Sequence, residues 1–273
     1  MKSLVELINA NTNWFYFKLY ENSYFFIDFW SIMHFFSGLI VLLCIELFHV
    51  RKKWVVLFGF LFCYEVIEIS IRYIAVNIFH PETIKDQFTD ILLGMLGGLV
   101  SSYLIKVLLQ AKATVSRAKI MENIVIIFIS FIISFLWVGY YSYRYNYEFL
   151  NSKGINYTAF LLWWAGIFFL GKTYYNFKSK QNSFSKGLLY SWGIYFMVLC
   201  LLEYSFYHIL GLKEIGAGEH KAMLFDIIHG TNALHIFYLF VPIISITSFE
   251  SIYKLIQKVL AVKQNRAAKS RFL

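Results

Sequence analysis

The chain has 273 residues, of which 59% are hydrophobic, 21% aromatic and only 15% charged, with a formal net charge of +9. Soluble domains are about half apolar and about a quarter charged, and disordered chains are poor in aromatics. Composition therefore excludes both and predicts an all-α, polytopic membrane helix bundle. Cys44, Cys63 and Cys200 fall inside apolar runs at no metal or redox spacing, so they read as reduced and structural. The residues before the first apolar stretch include Glu6 and Glu21 and lack the basic start and small-residue cleavage site of a signal peptide. The first helix is expected to stay in the mature protein.

A spanning helix needs about 20 mostly apolar residues, and seven stretches meet that requirement. The first, 25–48, carries Asp28 and His34. The second, 54–78, carries Glu65, Glu68 and Arg72, at intervals of three and four that place them on one face. The third, 87–109, is entered through Asp86 and Asp90. Those two share a face with Gly94 and Gly98, a small-xxx-small pair that permits close backbone approach. A re-entrant helix is the alternative there. The fourth and fifth, 121–143 and 156–175, carry Tyr140–Tyr141 and Trp163–Trp164, which read as interfacial belt residues. The sixth, 186–210, carries Glu203 and His208. The seventh, 222–247, carries Asp226, His229 and Asn232 advancing by threes, then His235, with Glu219 and His220 just before it. Pro242 is expected to kink this helix. The tail repeats Ile252, Leu255, Ile256, Val259 and Leu260 at helical spacing beside Lys254 and Lys258. It reads as a helix lying on the anionic inner leaflet, the alternative being a continuation of helix 7. Three regions result: a three-helix unit (1–110), a four-helix half (111–248) and a basic tail (249–273).

The basic excess sets the orientation. Arg51, Lys52 and Lys53 follow helix 1. Lys106, Lys112, Arg117 and Lys119 follow helix 3, and Lys172, Lys178, Lys180 and Lys186 follow helix 5. The tail holds Lys254, Lys258, Lys263, Arg266, Lys269 and Arg271, so seventeen of the 25 Lys and Arg fall on one side. Cytoplasmic loops carry such an excess. The N-terminus is expected outside and the C-terminus inside, in the inner membrane, and the charge calls for no nucleic-acid partner.

A charge at a helix centre costs roughly 2.5–3.5 kcal/mol on insertion scales, so intramembrane ionisable residues point to function. With this orientation the polar residues of helices 1, 2, 3, 6 and 7 fall in the outer half of the bilayer, His235 lying deeper. Glu65, Glu68 and Asp90 are the candidate acid–base groups, and His34, His208, Asp226 and His229 the candidate ligands of a divalent cation. Asp86, Arg72, Glu203, Asn232 and His235 complete the polar set. The donor types suit a metal, but no zinc signature such as H-E-x-x-H is present. The set fits a hydrolase or transferase acting on a lipid or lipid-linked substrate at the outer face. The alternatives are a proton- or cation-coupled transporter or flippase, and a non-catalytic sensor or assembly factor with a membrane-protein partner. Glu68 precedes Asp86, and His208 precedes Asp226, by 18 residues each, a spacing that an ancient three-helix repeat would produce.

Three segments, DFWSIMHFFSGL (28–39), YEVIEISIRY (64–73) and KDQFTDILLGMLGGL (85–99), resemble the VanZ-like integral membrane family and its uncharacterised relatives. The resemblance covers the first 110 residues. It implies that His34, Glu65, Glu68, Asp86, Asp90 and Gly94 are motif positions, and that the protein belongs to the bacterial cell envelope.

Overall fold

The computed structural model describes residues 13–48, 50–74, 83–110, 114–181, 183–215 and 221–269. Among them are seven long helices: α1 (Phe29–Leu47), α2 (Lys53–Ile74), α3 (Ile84–Gln110), α4 (Thr114–Tyr141), α5 (Tyr157–Gln181), α6 (Phe184–Tyr204) and α7 (Asn232–Lys269). Two hairpins, β1–β2 (Lys18–Glu21, Phe26–Asp28) and β3–β4 (Lys221–Met223, Ile228–Gly230), accompany them. Five helices (α1, α3, α4, α6 and α7) are long and apolar enough to cross a membrane, so the chain is a multi-pass membrane protein. Among the described residues, α2, which carries Glu65 and Glu68, and α5, rich in Trp and Tyr, are not in that set. α3 is one continuous helix of 27 residues, about 40 Å long at 1.5 Å per residue. A re-entrant turn is not what forms there.

The chain divides into two compact units, Met1–Arg117 with Lys254–Leu273, and Ala118–Tyr253.

In the first unit β1 and β2 pair antiparallel with Tyr20 opposite Ile27. Asn22 closes their turn by accepting from the Tyr24 and Phe25 amides at 2.8 and 2.7 Å. Glu21 bonds Lys85 at 2.5 Å and Lys18 at 2.9 Å. Those two ammonium groups, Lys85 first, hold its carboxyl down at about 2. The hairpin ends in Asp28, which is not inside a helix as expected. It caps α1, accepting from the Ser31 amide at 2.9 Å while Ser31 reaches back to the Asp28 amide.

α1 and α3 touch backbone to backbone. A Cβ on Gly38 would overlap the Gly94 carbonyl, and one on Gly97 would overlap the Phe35 carbonyl. α2 then descends α3 in steps of four. Leu57 fills the space over Gly98, Leu61 the space over Gly94, and Glu65 arrives beside Asp90. The glycines thus make a groove in which leucines pack by dispersion, the main attraction between helices in lipid. Leu42, Ile45, Leu57 and Leu61 form the buried core below the polar end. At the opposite end Glu46 receives Lys53 at 2.8 Å and Lys263 at 2.9 Å, which ties the last turns of α7 into this unit.

The second unit departs from expectation at its last crossing. The predicted helix over 222–247 starts only at Asn232, and residues 221–230 form β3–β4. Leu224, Phe225 and Asp226 have φ of 51°, 57° and 66°, a left-handed turn no helix can include. Thr231 then caps α7 through its hydroxyl to the Leu234 amide at 3.3 Å. Asp226, His229 and Asn232 therefore share no helical stripe. α7 runs on without a break through Pro242 to Lys269, and Ile256, Val259 and Leu260 are buried. The tail's apolar stripe is a packing face, and the tail continues α7.

Candidate functional site

The candidate residues gather in two clusters, one inside each unit. In the first, His34 on α1, Glu65 on α2 and Asp90 on α3 are 3%, 3% and 1% exposed. His34 Nδ1 faces Glu65 Oε1 at 3.4 Å, and its Nε2 faces Asp90 Oδ2 at 3.5 Å. A neutral imidazole donates from one nitrogen only. Both contacts are attractive only if the ring is protonated, a carboxyl holds a proton, or a cation lies between. Asp28, Asp86 and Asp90 bring one oxygen each to within 4.8 Å of one another. Glu68 is half-buried one turn beyond Glu65 and is in neither trio. Arg72 lies on α2, its side chain outside the described part, and Glu219 and His220 are outside the described residues.

In the second unit His208, Asp226 and His229 come together, with donor atoms all within 4.8 Å. His229 Nε2 lies 2.9 Å from Asp226 Oδ1, and His208 Nε2 lies 3.9 Å from Asp226 Oδ2 and 2.7 Å from the Asp226 carbonyl oxygen. Two backbone irregularities make this possible. The left-handed turn presents Asp226. The end of α6 widens to a π-helix over Ser205–Ile209, with the Leu210 amide reaching back five residues to the Ser205 carbonyl at 3.0 Å, and this turns His208. Non-glycine residues in the left-handed region cost roughly 1–2 kcal/mol each. Such strain, like π-turns, concentrates where function needs it. Tyr207 stacks on the His229 ring at 3.5 Å between centroids and 3° between planes, fixing the imidazole.

His229, Tyr207 and Glu203 also line a cavity of about 160 Å³. Its other walls are mostly apolar and aromatic, among them Trp163, Phe169, Leu199 and Phe206. Tyr143, at its base, accepts from the indoles of Trp137 at 2.9 Å and Trp163 at 2.8 Å. Burial pushes the Tyr143 hydroxyl well above the ordinary tyrosine range, so it stays neutral. Glu203 accepts from Tyr238 Oη at 2.5 Å and Glu214 from Tyr141 Oη at 3.2 Å. Both carboxylates face the cavity.

Asn232 is exposed at the start of α7, and His235 is buried one turn later. Neither belongs to the trio. Trp163 is part of this wall, and Tyr141 belongs to its hydrogen-bond frame. Tyr143, Tyr145, Tyr195, Glu214 and Tyr238 also line the cavity and carry no motif in the sequence. The alternating tyrosines of YYSYRYNY (140–147) are the signal that could have marked an extended, cavity-lining segment. Compared with protein families, curated proteins and solved structures, the chain shows no match.

Proposed function

We propose that this chain is an integral membrane hydrolase or transferase acting on a lipid or lipid-linked substrate, with His208, Asp226 and His229 as ligands of a divalent cation. The observation that carries the reading is the two-histidine, one-carboxylate trio set beside an apolar, aromatic cavity. Two imidazoles and a carboxylate suit zinc or iron, and a three-ligand set leaves positions open for water or substrate. An apolar cavity of this size takes up a ring-sized or short-chain apolar group, which suits one end of a lipid. The cation would polarise the bond to be broken. Glu203 and Glu214 offer the acid–base groups, and Tyr207 holds His229 in place.

The loop charges support an N-terminus outside and a C-terminus inside, in the bacterial inner membrane. There the site opens toward the outer leaflet, where ATP is absent and the substrate's own bond energy drives reaction. The VanZ-like segments support an envelope role.

The test uses the full chain in nanodiscs. Metal content and Zn²⁺ binding are measured with and without His208→Ala and His229→Ala, and a diazirine-bearing lipid is photolysed in the same discs. The reading expects Zn²⁺ binding that the two variants weaken at least 100-fold, and label on Leu202 or Phe206. Unchanged Zn²⁺ binding in the variants, or label confined to outer helix faces, would overturn it.

A further inference from the structure

The first unit holds a second donor set, independent of the cavity site. We propose that His34, Glu65 and Asp90 bind a divalent cation between α1, α2 and α3.

Three observations converge on it. The donors come from three different helices, and each is at least nine-tenths buried. The separations are long for hydrogen bonds, at 3.4 Å for His34 Nδ1 to Glu65 and 3.5 Å for His34 Nε2 to Asp90. The two contacts use opposite ring nitrogens, so one nitrogen would meet the ion together with one oxygen each of Glu65 and Asp90, which lie within 4.8 Å of it and of one another, while the other nitrogen keeps its carboxylate contact. Lastly, Asp90 is 1% exposed, and its side-chain neighbours are the Ser31 hydroxyl and the His34 imidazole at 3.5 Å. Its neighbour Ser31 donates to Asp28 at 3.1 Å.

The surroundings are built to hold Asp90 in place. The Gly38–Gly94 contact draws α1 onto α3, and the Leu61–Gly94 and Leu57–Gly98 steps bring α2 down beside them. Asp28, at the end of the hairpin, and Asp86, one turn earlier on α3, each bring an oxygen near Asp90, which adds negative potential around the ion. An imidazole with carboxylates selects Zn²⁺, Fe²⁺ or Mn²⁺ over Mg²⁺ and Ca²⁺, which prefer oxygen alone. Glu65 and Asp90 are then ligands, where the sequence had suggested acid–base groups.

The test separates this site from the cavity site. The His208→Ala/His229→Ala double variant, purified full-length in nanodiscs, removes the second unit's imidazoles. Calorimetry with Zn²⁺ on that background should still find one equivalent per chain, and adding Asp90→Asn should weaken it at least 100-fold. Zn absorption spectra of the background protein should show one imidazole among oxygen ligands, a readout that needs no further substitution. Absence of Zn²⁺ binding on the background, binding indifferent to Asp90→Asn, or a spectrum with two imidazoles or with sulfur would overturn the proposal. A failed cavity site would show instead as wild-type and background proteins binding the same single equivalent.

Discussion

Adding one methyl group at Gly38 should damage the first unit, whereas adding it at Gly59 should not. In Gly38→Ala the new Cβ falls on the Gly94 carbonyl, and in Gly97→Ala on the Phe35 carbonyl. Both obstacles are backbone of a packed helix, which no rotamer change can clear. α1 and α3 must separate by roughly 1 Å, and close-packed interiors resist such strain at about 1–3 kcal/mol per overpacked site. Helix propensity works the other way, favouring Ala over Gly by about 1 kcal/mol. The net loss at these two sites is therefore up to about 2 kcal/mol. At Gly94 the obstacle is Leu61 Cδ2 at 2.7 Å, the end of a flexible side chain, so Gly94→Ala should cost less. At Gly59, Gly166 and Gly193 a Cβ meets nothing within 4 Å, so alanine there should be neutral or stabilising. Thermal unfolding followed by tryptophan fluorescence in nanodiscs should rank Gly38 and Gly97 worst, Gly94 between, and the three open sites at or above wild type. A uniform response across all six would refute the helix register. The register also carries the cluster, because separating α1 from α3 moves His34 from Asp90. Gly38→Ala should thus weaken Zn²⁺ binding on the double-variant background more than Gly59→Ala does.

Three other outcomes follow from the geometry. Tyr143→Phe removes the acceptor of two indole N–H groups, and unsatisfied buried donors cost about 1–3 kcal/mol each. Its melting temperature should fall well below that of Tyr140→Phe, whose side chain is exposed; equal melting would contradict the Tyr143 geometry. Leu224→Gly relieves a left-handed residue worth about 1–2 kcal/mol against about 0.5–1 kcal/mol of added chain entropy. It should melt no lower than wild type yet bind Zn²⁺ at the second unit's trio more weakly, since Asp226 loses its rigid mount; a lower melting temperature would contradict the strain. Glu21, held down to about 2 by Lys85 and Lys18 against an ordinary 4.5, steadies the first hairpin fully above about 4.5. That contribution is lost as pH falls through about 2. In Lys85→Met the Glu21 carboxyl signal, followed by ¹³C NMR, should titrate nearer 4.5; an unmoved midpoint would show that Lys85 is not its partner.

Helices and their faces were legible in the sequence because apolar length and three-to-four spacing are local properties. Glu65 and Asp90 meet because each lies on the face that its own helix turns inward. Gly94 and Gly98 were readable as a groove, but Gly97, which makes a closer contact, lies off that four-residue row and gave no signal. Asp28 continues the apolar run and so looks helical; its capping role depends on Ser31 three residues on. The larger miss was Asp226. An apolar LFDII stretch looks helical by composition, and three consecutive left-handed non-glycine residues are a tertiary effect that propensity does not foresee. Gly230 and Thr231, a glycine before a capping residue, were the local hint that α7 begins later. The cavity was illegible for a different reason. Its walls are aromatic residues in a chain where aromatics are everywhere.

The central claim is that the His208–Asp226–His229 trio binds a cation that works on a lipid held beside it. The most direct measurement is turnover of isotopically labelled membrane lipids in vesicles carrying the full chain, with divalent metal removed by chelator and restored. The account predicts a water-soluble or transferred product that requires the metal, disappears in His229→Ala, and falls sharply in Glu203→Gln. Product formation that persists in chelator, or that His229→Ala leaves unchanged, would contradict it.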